Sequence, residues 1–222
     1  MLDSDVVWNR TSAPSELIIS ERLYNLTIGA VLLWGFAVNY LMVTSIDAVS
    51  LMQTLSPMVM LIGYLVSAFA GIMIYTKSDN PWISFIGYNM VVVPIGVLLV
   101  PFLYKVDPNV IHRAVAATGA VTVGMMMLGG AFPQFFLSIG RTLFVALILA
   151  LLVQVGMMLM GVYKPGLFDG IFVVIFSGYI GYDWARANQI PRTFDNAVDS
   201  AAALYIDIIN LFMRLVSIMN RR

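Results

Sequence analysis

The acid most able to do chemistry in this chain is Asp207, which interrupts the last apolar run. It lies within residues 204–212, whose sequence is LYIDIINLF. A charged side chain at the centre of a membrane-spanning helix costs roughly 2.5–3.5 kcal/mol on insertion scales, so such residues usually face a partner or a water-filled cavity. Asp207 is therefore a candidate functional residue before any fold is assumed.

A second acid, Asp183, lies near the end of the preceding apolar run. The last two runs predict an antiparallel helical hairpin with a loop near residues 188–196. Asp183 and Asp207 are equally distant from position 195, so their carboxyl groups are expected within roughly 5 Å of the same depth. Two such groups can share a proton, which would make the pair sensitive to pH, and their oxygens suit a hard cation such as Ca²⁺. The alternative is that Asp183 pairs locally with Arg186, three residues further on.

Polar side chains form a stripe along the last predicted helix, within about 80° of arc at 100° per residue. The stripe consists of Asp199, Asp207, Asn210, Arg214 and Ser217. A helix that faces lipid would not group polar residues in this way, so these are predicted supporting or pore-lining residues on an interior face. Tyr182 and Arg186, close to Asp183, are predicted to support the site as well. The alternative is a packing network in which Asp207 bonds to Asn210 and to neighbouring hydroxyls.

The composition identifies the environment of these acids. Of 222 residues, 60% are hydrophobic and 11% are charged, and the mean hydropathy is +0.90. Soluble domains are closer to half apolar and a quarter charged, so the chain is an integral, multi-pass membrane protein. Cysteine is absent and His112 is the only histidine, which excludes disulfides, thiolate catalysis and a multi-histidine metal site. Twelve basic and twelve acidic residues cancel, so nucleic acid is not an expected partner. No cofactor is expected, with Ca²⁺ entering as a permeating ion.

Apolar runs of about 20 residues predict seven membrane-spanning helices. The predicted spans are residues 23–43, 51–75, 82–104, 111–132, 137–162, 167–185 and 197–219. They form a single membrane domain, 23–219, which follows a polar segment, 1–22, and precedes a basic end, 220–222. The two sides of the membrane carry six basic residues each, so charge favours neither orientation.

Small residues at helical spacing predict close helix packing on two faces. These are Gly63, Ser67 and Gly71 in the second span, and Ala116, Ala120 and Gly124 in the fourth. Pro57 and Pro94 lie inside predicted spans, where proline can kink or break a helix.

Residues 178–216 resemble the Bax inhibitor family (transmembrane Bax-inhibitor-motif proteins). The run LYIDIINLF is that family's most recognisable signature, and it follows a sixth-span aspartate at the family's spacing. The resemblance implies a central last helix wrapped by two three-helix layers. Bacterial members are pH-sensitive calcium leak channels gated by an aspartate pair, which matches Asp183 and Asp207 here. The resemblance also implies a bacterial inner membrane with the N-terminus in the cytoplasm.

One departure from the family stands in the second span. Family members are expected to carry a charged pore residue there, whereas residues 51–76 of this chain contain no acidic or basic side chain. Gating by a third charged group is therefore not expected from this span.

Other functions carry different expectations. A proton-coupled secondary transporter would use the acids as a relay. An intramembrane aspartyl protease also holds two acids on consecutive helices, but its Gly-x-Gly-Asp motif is replaced by LYID at residues 204–207, so the chain is not expected to be an enzyme. A third alternative is an interaction protein that modulates cell death, for which the sequence offers no docking motif. The expected partners are the lipid bilayer, calcium ions and protons.

Overall fold

The computed structural model describes residues 17–221, and the regular elements among them are α-helices. The helices are α1 Glu21–Ser45, α2 Ala48–Thr54, α3 Pro57–Lys77, α4 Pro81–Leu103, α5 Pro108–Ala131, α6 Pro133–Leu159, α7 Pro165–Ala187 and α8 Phe194–Met219. Residues 1–16 of the predicted polar segment, and residue 222 of the basic end, lie outside the described residues.

Seven of these helices, all except α2, are long and apolar enough to cross a membrane. The prediction of an all-α membrane protein with seven spans is therefore confirmed. Large apolar side chains remain on the surface, among them Leu33, Leu159 and Val174, which are 69%, 85% and 72% exposed. Such exposure suits helices surrounded by lipid tails, because packing those side chains against protein instead would gain no hydrophobic free energy.

Proline marks the start of most of the spans. Five helices begin with it, at Pro57, Pro81, Pro108, Pro133 and Pro165. Proline suits this position because its φ angle is preset and its missing N–H would have no helical partner there. The side chains of Ser56, Asn80 and Asp107 cap three of these helices by accepting a backbone N–H of the first turn. By contrast, Pro94 lies inside α4 without ending it.

The predicted start of the second span, at residue 51, is wrong. A separate short helix, α2, precedes the span, and α3 begins only at Pro57. Proline disfavours helical geometry at the residue before it, so Ser56 leaves α2 and caps α3 instead. Asp47 caps α2, and hydrogen bonds from the Ser50 hydroxyl and N–H hold the pKa of Asp47 below its ordinary value.

The described residues form two compact units. The first holds the residues up to Lys105 together with Ile190–Ala202, and the second holds Val106–Gln189 together with the residues from Ala203 onward. Each unit therefore contains three membrane-spanning helices and one portion of α8, as in the three-plus-three grouping that the family resemblance implies. In the first unit α4 packs against α1 and α3, and in the second α7 packs against α5 and α6.

Close helix packing is present on part of the small-residue face predicted for the second span. Gly71 of α3 and Gly87 of α4 approach so closely that a β-carbon at either would collide with the backbone of the other. The Ser67 hydroxyl donates a hydrogen bond of 2.7 Å to the carbonyl of Met90. A β-carbon at Gly63, however, would meet no atom of the described residues within 4 Å.

The corresponding prediction for the fourth span is wrong. Ala116 and Ala120 are exposed, and a β-carbon at Gly124 would meet no described atom within 4 Å. The close contact of α5 lies nearer its C-terminal end, at Gly129, which abuts the backbone of Gly181 in α7. Small residues permit close approach, but the neighbouring helix decides which of them it uses.

The first portion of α8 is buried although it is polar. Asp195 and Ser200 are 3% and 8% exposed. The Ser84 hydroxyl of α4 donates a hydrogen bond of 2.6 Å to Asp195, and the Tyr24 hydroxyl of α1 lies 3.1 Å from that of Ser200. These bonds give Asp195 and Ser200 partners inside the first unit, as buried polar atoms usually have.

Candidate functional site

Two carboxyl groups meet inside the second unit. Asp183 lies near the end of α7 and Asp207 near the middle of α8, and their side chains are in hydrogen-bond contact. Asp207 is only 6% exposed, and Asp183 is half-buried. An ionised carboxylate only accepts hydrogen bonds, so this contact requires a proton on one of the two groups. The two acids thus contact each other within the membrane-spanning helices, an arrangement in which two carboxyl groups can share a proton.

One oxygen of the pair has further acceptor capacity. The Oδ2 atom of Asp207 is buried and has no hydrogen-bond partner among the described residues. A buried acceptor without a partner costs about 1–3 kcal/mol, and such atoms are few in native structures. This oxygen therefore keeps the capacity to accept a further hydrogen bond.

Three further side chains of α7 surround the pair. Tyr179 interacts electrostatically with both acids, and its ring packs edge-to-face against Tyr182 at a centroid distance of 6.4 Å. Arg186 interacts electrostatically with Asp183 and with Tyr182. Asp183 therefore has its side-chain hydrogen bond with Asp207, while Arg186 acts on it through its charge. The guanidinium thus places a positive charge beside the acid pair.

The backbone that carries Asp183 is packed against its neighbours through glycines. Gly181 abuts Gly129 of α5, with no space for a β-carbon at Gly129. The ring of Tyr182 lies against Gly140 of α6, where a β-carbon would collide with it. Because α7 is fixed on two sides next to Asp183, the position of this carboxyl group is set by packing rather than by the local sequence.

The structure distributes the predicted stripe of α8 over several partners. The Asn210 side chain donates a hydrogen bond of 2.7 Å to the carbonyl of Ile206, one turn earlier. Arg214 bonds to an acid in α7, Asp169, at 3.0 Å, and Ser217 is half-buried. Asp199 is buried in the portion of α8 that belongs to the first unit.

Two of these placements add partners that the sequence does not specify. In the alternative packing network Asp207 would bond to Asn210, but the amide of Asn210 donates within its own helix. Arg214, predicted as a pore-lining or supporting residue, pairs its guanidinium with Asp169. A polar residue on a helix bonds to the nearest acceptor that packing supplies, which a stripe on a helical wheel does not reveal.

Sequence reasoning missed the acid Asp169, which contacts both Arg214 and Arg221. The signal was present, because Asp169 and Arg221 are each 26 residues from position 195, just as Asp183 and Asp207 are each 12 residues from it. The same hairpin symmetry therefore predicts both pairs. Sequence reasoning also missed the buried hydrogen bond between Ser84 and Asp195.

The pair is not a ready-made resident metal site. Within the part of the chain that the structure describes, no group of three or more acidic, histidine or cysteine side chains could hold a metal ion. Bound Ca²⁺ takes about six to eight oxygen ligands, and two carboxyl groups supply a minority of them.

The fold and this site define a multi-pass membrane protein with a buried acid pair on two consecutive spans. The chain belongs to the Bax inhibitor family, because residues 18–222 match the family described as Inhibitor of apoptosis-promoting Bax1. The recognition made from the C-terminal signature is thereby confirmed over nearly the whole chain.

Individual relatives match over shorter regions. Protein LIFEGUARD 1 of Arabidopsis thaliana is 26% identical over 144 residues, which cover 60% of each chain. A protein of Helicobacter pylori is 28% identical over 129 residues, covering 56% of this chain and 55% of its own. BI1-like protein of Arabidopsis thaliana is 33% identical over 89 residues, covering 39% and 34%. The chain thus spans about half the length of the curated relatives it matches.

Proposed function

We propose that this protein is a pH-sensitive calcium leak channel whose gate is the pair Asp183 and Asp207. The observation that carries the proposal is the contact between these two carboxyl groups, one on each helix of the α7–α8 hairpin. A proton between them bridges the helices and closes the path. Family membership adds support, because the chain carries both aspartates at the spacing of the family signature.

Loss of the shared proton would drive opening. Two unit charges about 4 Å apart repel by about 4 kcal/mol at an effective dielectric constant near 20. That repulsion is comparable in size to the energy of the hydrogen bond that is lost when the proton leaves. Deprotonation therefore turns an attraction between α7 and α8 into a repulsion. The freed carboxylates then offer oxygen atoms to a passing hard cation.

The setting of this activity is part of the same proposal. The protein would lie in a bacterial inner membrane with its N-terminus in the cytoplasm, and its partners would be lipid, calcium ions and protons. Relatives in Helicobacter pylori and Campylobacter jejuni support a bacterial setting. A channel rather than an enzyme is proposed, because the glycines that an aspartyl protease needs before its second acid are replaced at residues 204–206.

The test is calcium entry into proteoliposomes at a series of pH values, for wild type, Asp183→Asn and Asp207→Asn. Wild-type flux should rise with pH, and each variant should lose this step because asparagine cannot release a proton. Asp79→Asn is the matched control, since Asp79 is exposed at the end of α3, and it should behave as wild type.

Three results would contradict the proposal. If neither variant alters the flux or its pH midpoint, the pair is not the gate. Calcium movement that requires a second solute gradient would make the protein a transporter. Cleavage of a helical substrate by wild type but not by Asp207→Asn would make it a protease.

A further inference from the structure

A second group of charged residues joins the same two helices at their other ends. Asp169, on the second turn of α7, is 2% exposed. Its Oδ1 atom accepts a hydrogen bond of 3.0 Å from Arg214 of α8, and its Oδ2 atom contacts the guanidinium of Arg221. All three residues belong to the second unit. Each carboxylate oxygen thus has its own arginine, a charge-assisted arrangement that is stronger than a neutral hydrogen bond.

Neighbouring side chains hold both arginines in place. The guanidinium of Arg214 lies over the buried ring of Phe172, 4.2 Å from its centroid, which adds a cation–π contact. Arg221 passes beside Gly166 in the first turn of α7, where a β-carbon would lie 3.4 Å from its Nη1 atom. The cluster is therefore positioned by packing as well as by charge.

The location of this cluster matters for the hairpin. Along α7, Asp169 is 14 residues from Asp183, which corresponds to about 21 Å. Arg214 is seven residues beyond Asp207 on α8, or about 10 Å. Within the second unit, α7 and α8 are thus joined by the acid pair and again, further from their connecting loop, by the arginine–aspartate cluster.

We propose that Asp169, Arg214 and Arg221 form a second latch, which must yield before α7 and α8 can separate at the acid pair. This inference rests on the proposed function of that pair. Helices are stiff over such distances, so repulsion at Asp183 and Asp207 moves the helices apart only if the latched ends give way. The latch therefore sets how far the path opens once the shared proton has left.

Because the latch contains one acid and two arginines, neutralising the acid has a different effect from neutralising an arginine. Two arginines share one acid, so neutralising Asp169 leaves two guanidinium groups that repel, whereas neutralising Arg221 leaves a one-to-one pair. Lys164, which immediately precedes α7, is an exposed charged group near Asp169 in sequence. Around the acid pair the titratable or charged neighbours are Tyr179, Tyr182 and Arg186.

The first test measures the latch without reference to calcium. The natural chain has no cysteine, so nitroxide labels can be placed at Leu167→Cys and Asn220→Cys, both exposed positions. Their distance distribution should be narrow in the otherwise unchanged chain at acidic pH. It should broaden in Asp169→Asn and broaden less in Arg221→Gln. The charge-swapped variant Asp169→Arg with Arg214→Asp, which keeps one acid and two arginines, should narrow it again.

The second test measures conduction. At the higher pH values where the shared proton has left and wild type conducts, Asp169→Asn should raise calcium flux by roughly tenfold, since a hydrogen bond to a charged group is worth a factor of about ten or more in an equilibrium. Lys164→Gln is the control, because it removes a cation from the same end outside the cluster, and it should leave the flux unchanged.

The outcomes separate the two proposals. An unchanged distance distribution in Asp169→Asn overturns the latch, as does a broadened distribution with unchanged flux in a protein that conducts. If wild type does not conduct at any pH, the channel proposal fails, and the distance measurement then decides whether the cluster holds the helix ends together.

Discussion

The carboxyl groups of Asp183 and Asp207 touch although 24 residues separate them in the chain. The contact exists because the short loop 188–193 folds α7 and α8 back on each other, with Asp183 and Asp207 each 12 residues from position 195 at the start of α8. Two acids in contact require a proton, so a single geometric relationship links the hairpin to the response to pH.

Substituting Asp207 by asparagine should weaken the dependence of unfolding temperature on pH. The folded wild type holds a proton between its acids that the unfolded chain has already released above about pH 4, so its free energy of unfolding falls as pH rises from there. An asparagine amide can donate to Asp183 at every pH. Thermal unfolding in detergent checks this, with Asp79→Asn expected to keep the wild-type slope. An unaltered slope in Asp207→Asn would show that no proton is shared.

The close contact between α5 and α7 predicts that Gly129→Ala destabilises the protein. A β-carbon there would collide with the backbone of Gly181, so we expect a loss of about 1–3 kcal/mol in the free energy of unfolding. Gly124→Ala, on the same helix but facing open space, should instead gain up to about 1 kcal/mol from helix propensity. Chemical denaturation of both variants measures the difference. Equal effects would contradict the contact.

The packing of the Tyr182 ring against Gly140 predicts that a substitution at Gly140 changes gating and not only stability. In Gly140→Ala the added β-carbon would displace the ring, and with it the backbone next to Asp183. We expect the pH midpoint of calcium flux to move by about 0.5 unit, equivalent to about 0.7 kcal/mol. Gly156→Ala, an open position on the same helix, should leave the midpoint in place. If the pH midpoint of calcium flux is unchanged in both variants, Tyr182 does not position Asp183.

The bond between Ser84 and Asp195 predicts a stability role for a residue outside the candidate site. Ser84→Ala removes the donor at 2.6 Å from a buried carboxyl group, and leaving such a group less satisfied costs about 1–3 kcal/mol. Ser138→Ala removes only an exposed bond within α6 and should change stability by less than about 0.5 kcal/mol. Denaturation midpoints compare the two, and similar losses would argue against a buried anchor.

Much of the architecture is predictable because a bilayer imposes local rules. A span needs about 20 apolar residues whatever its neighbours, so all seven could be recognised. Proline marks where five of them begin, three of these with a polar cap. The error at residue 51 came from a local signal that was misread, since Ser56 and Pro57 together start a helix rather than interrupt one.

Which side chains meet was decided by packing. The equal distance of Asp183 and Asp207 from position 195 was enough to predict that they lie at a similar depth in the membrane, because depth follows from residue count along a helix. The contacts of Gly129 and Arg214 depend on which helix lies beside each, and similar small-residue faces at Gly71 and Gly124 had opposite outcomes. Apolar length and spacing are properties of the chain, whereas the partner of a side chain is a property of helices distant in sequence.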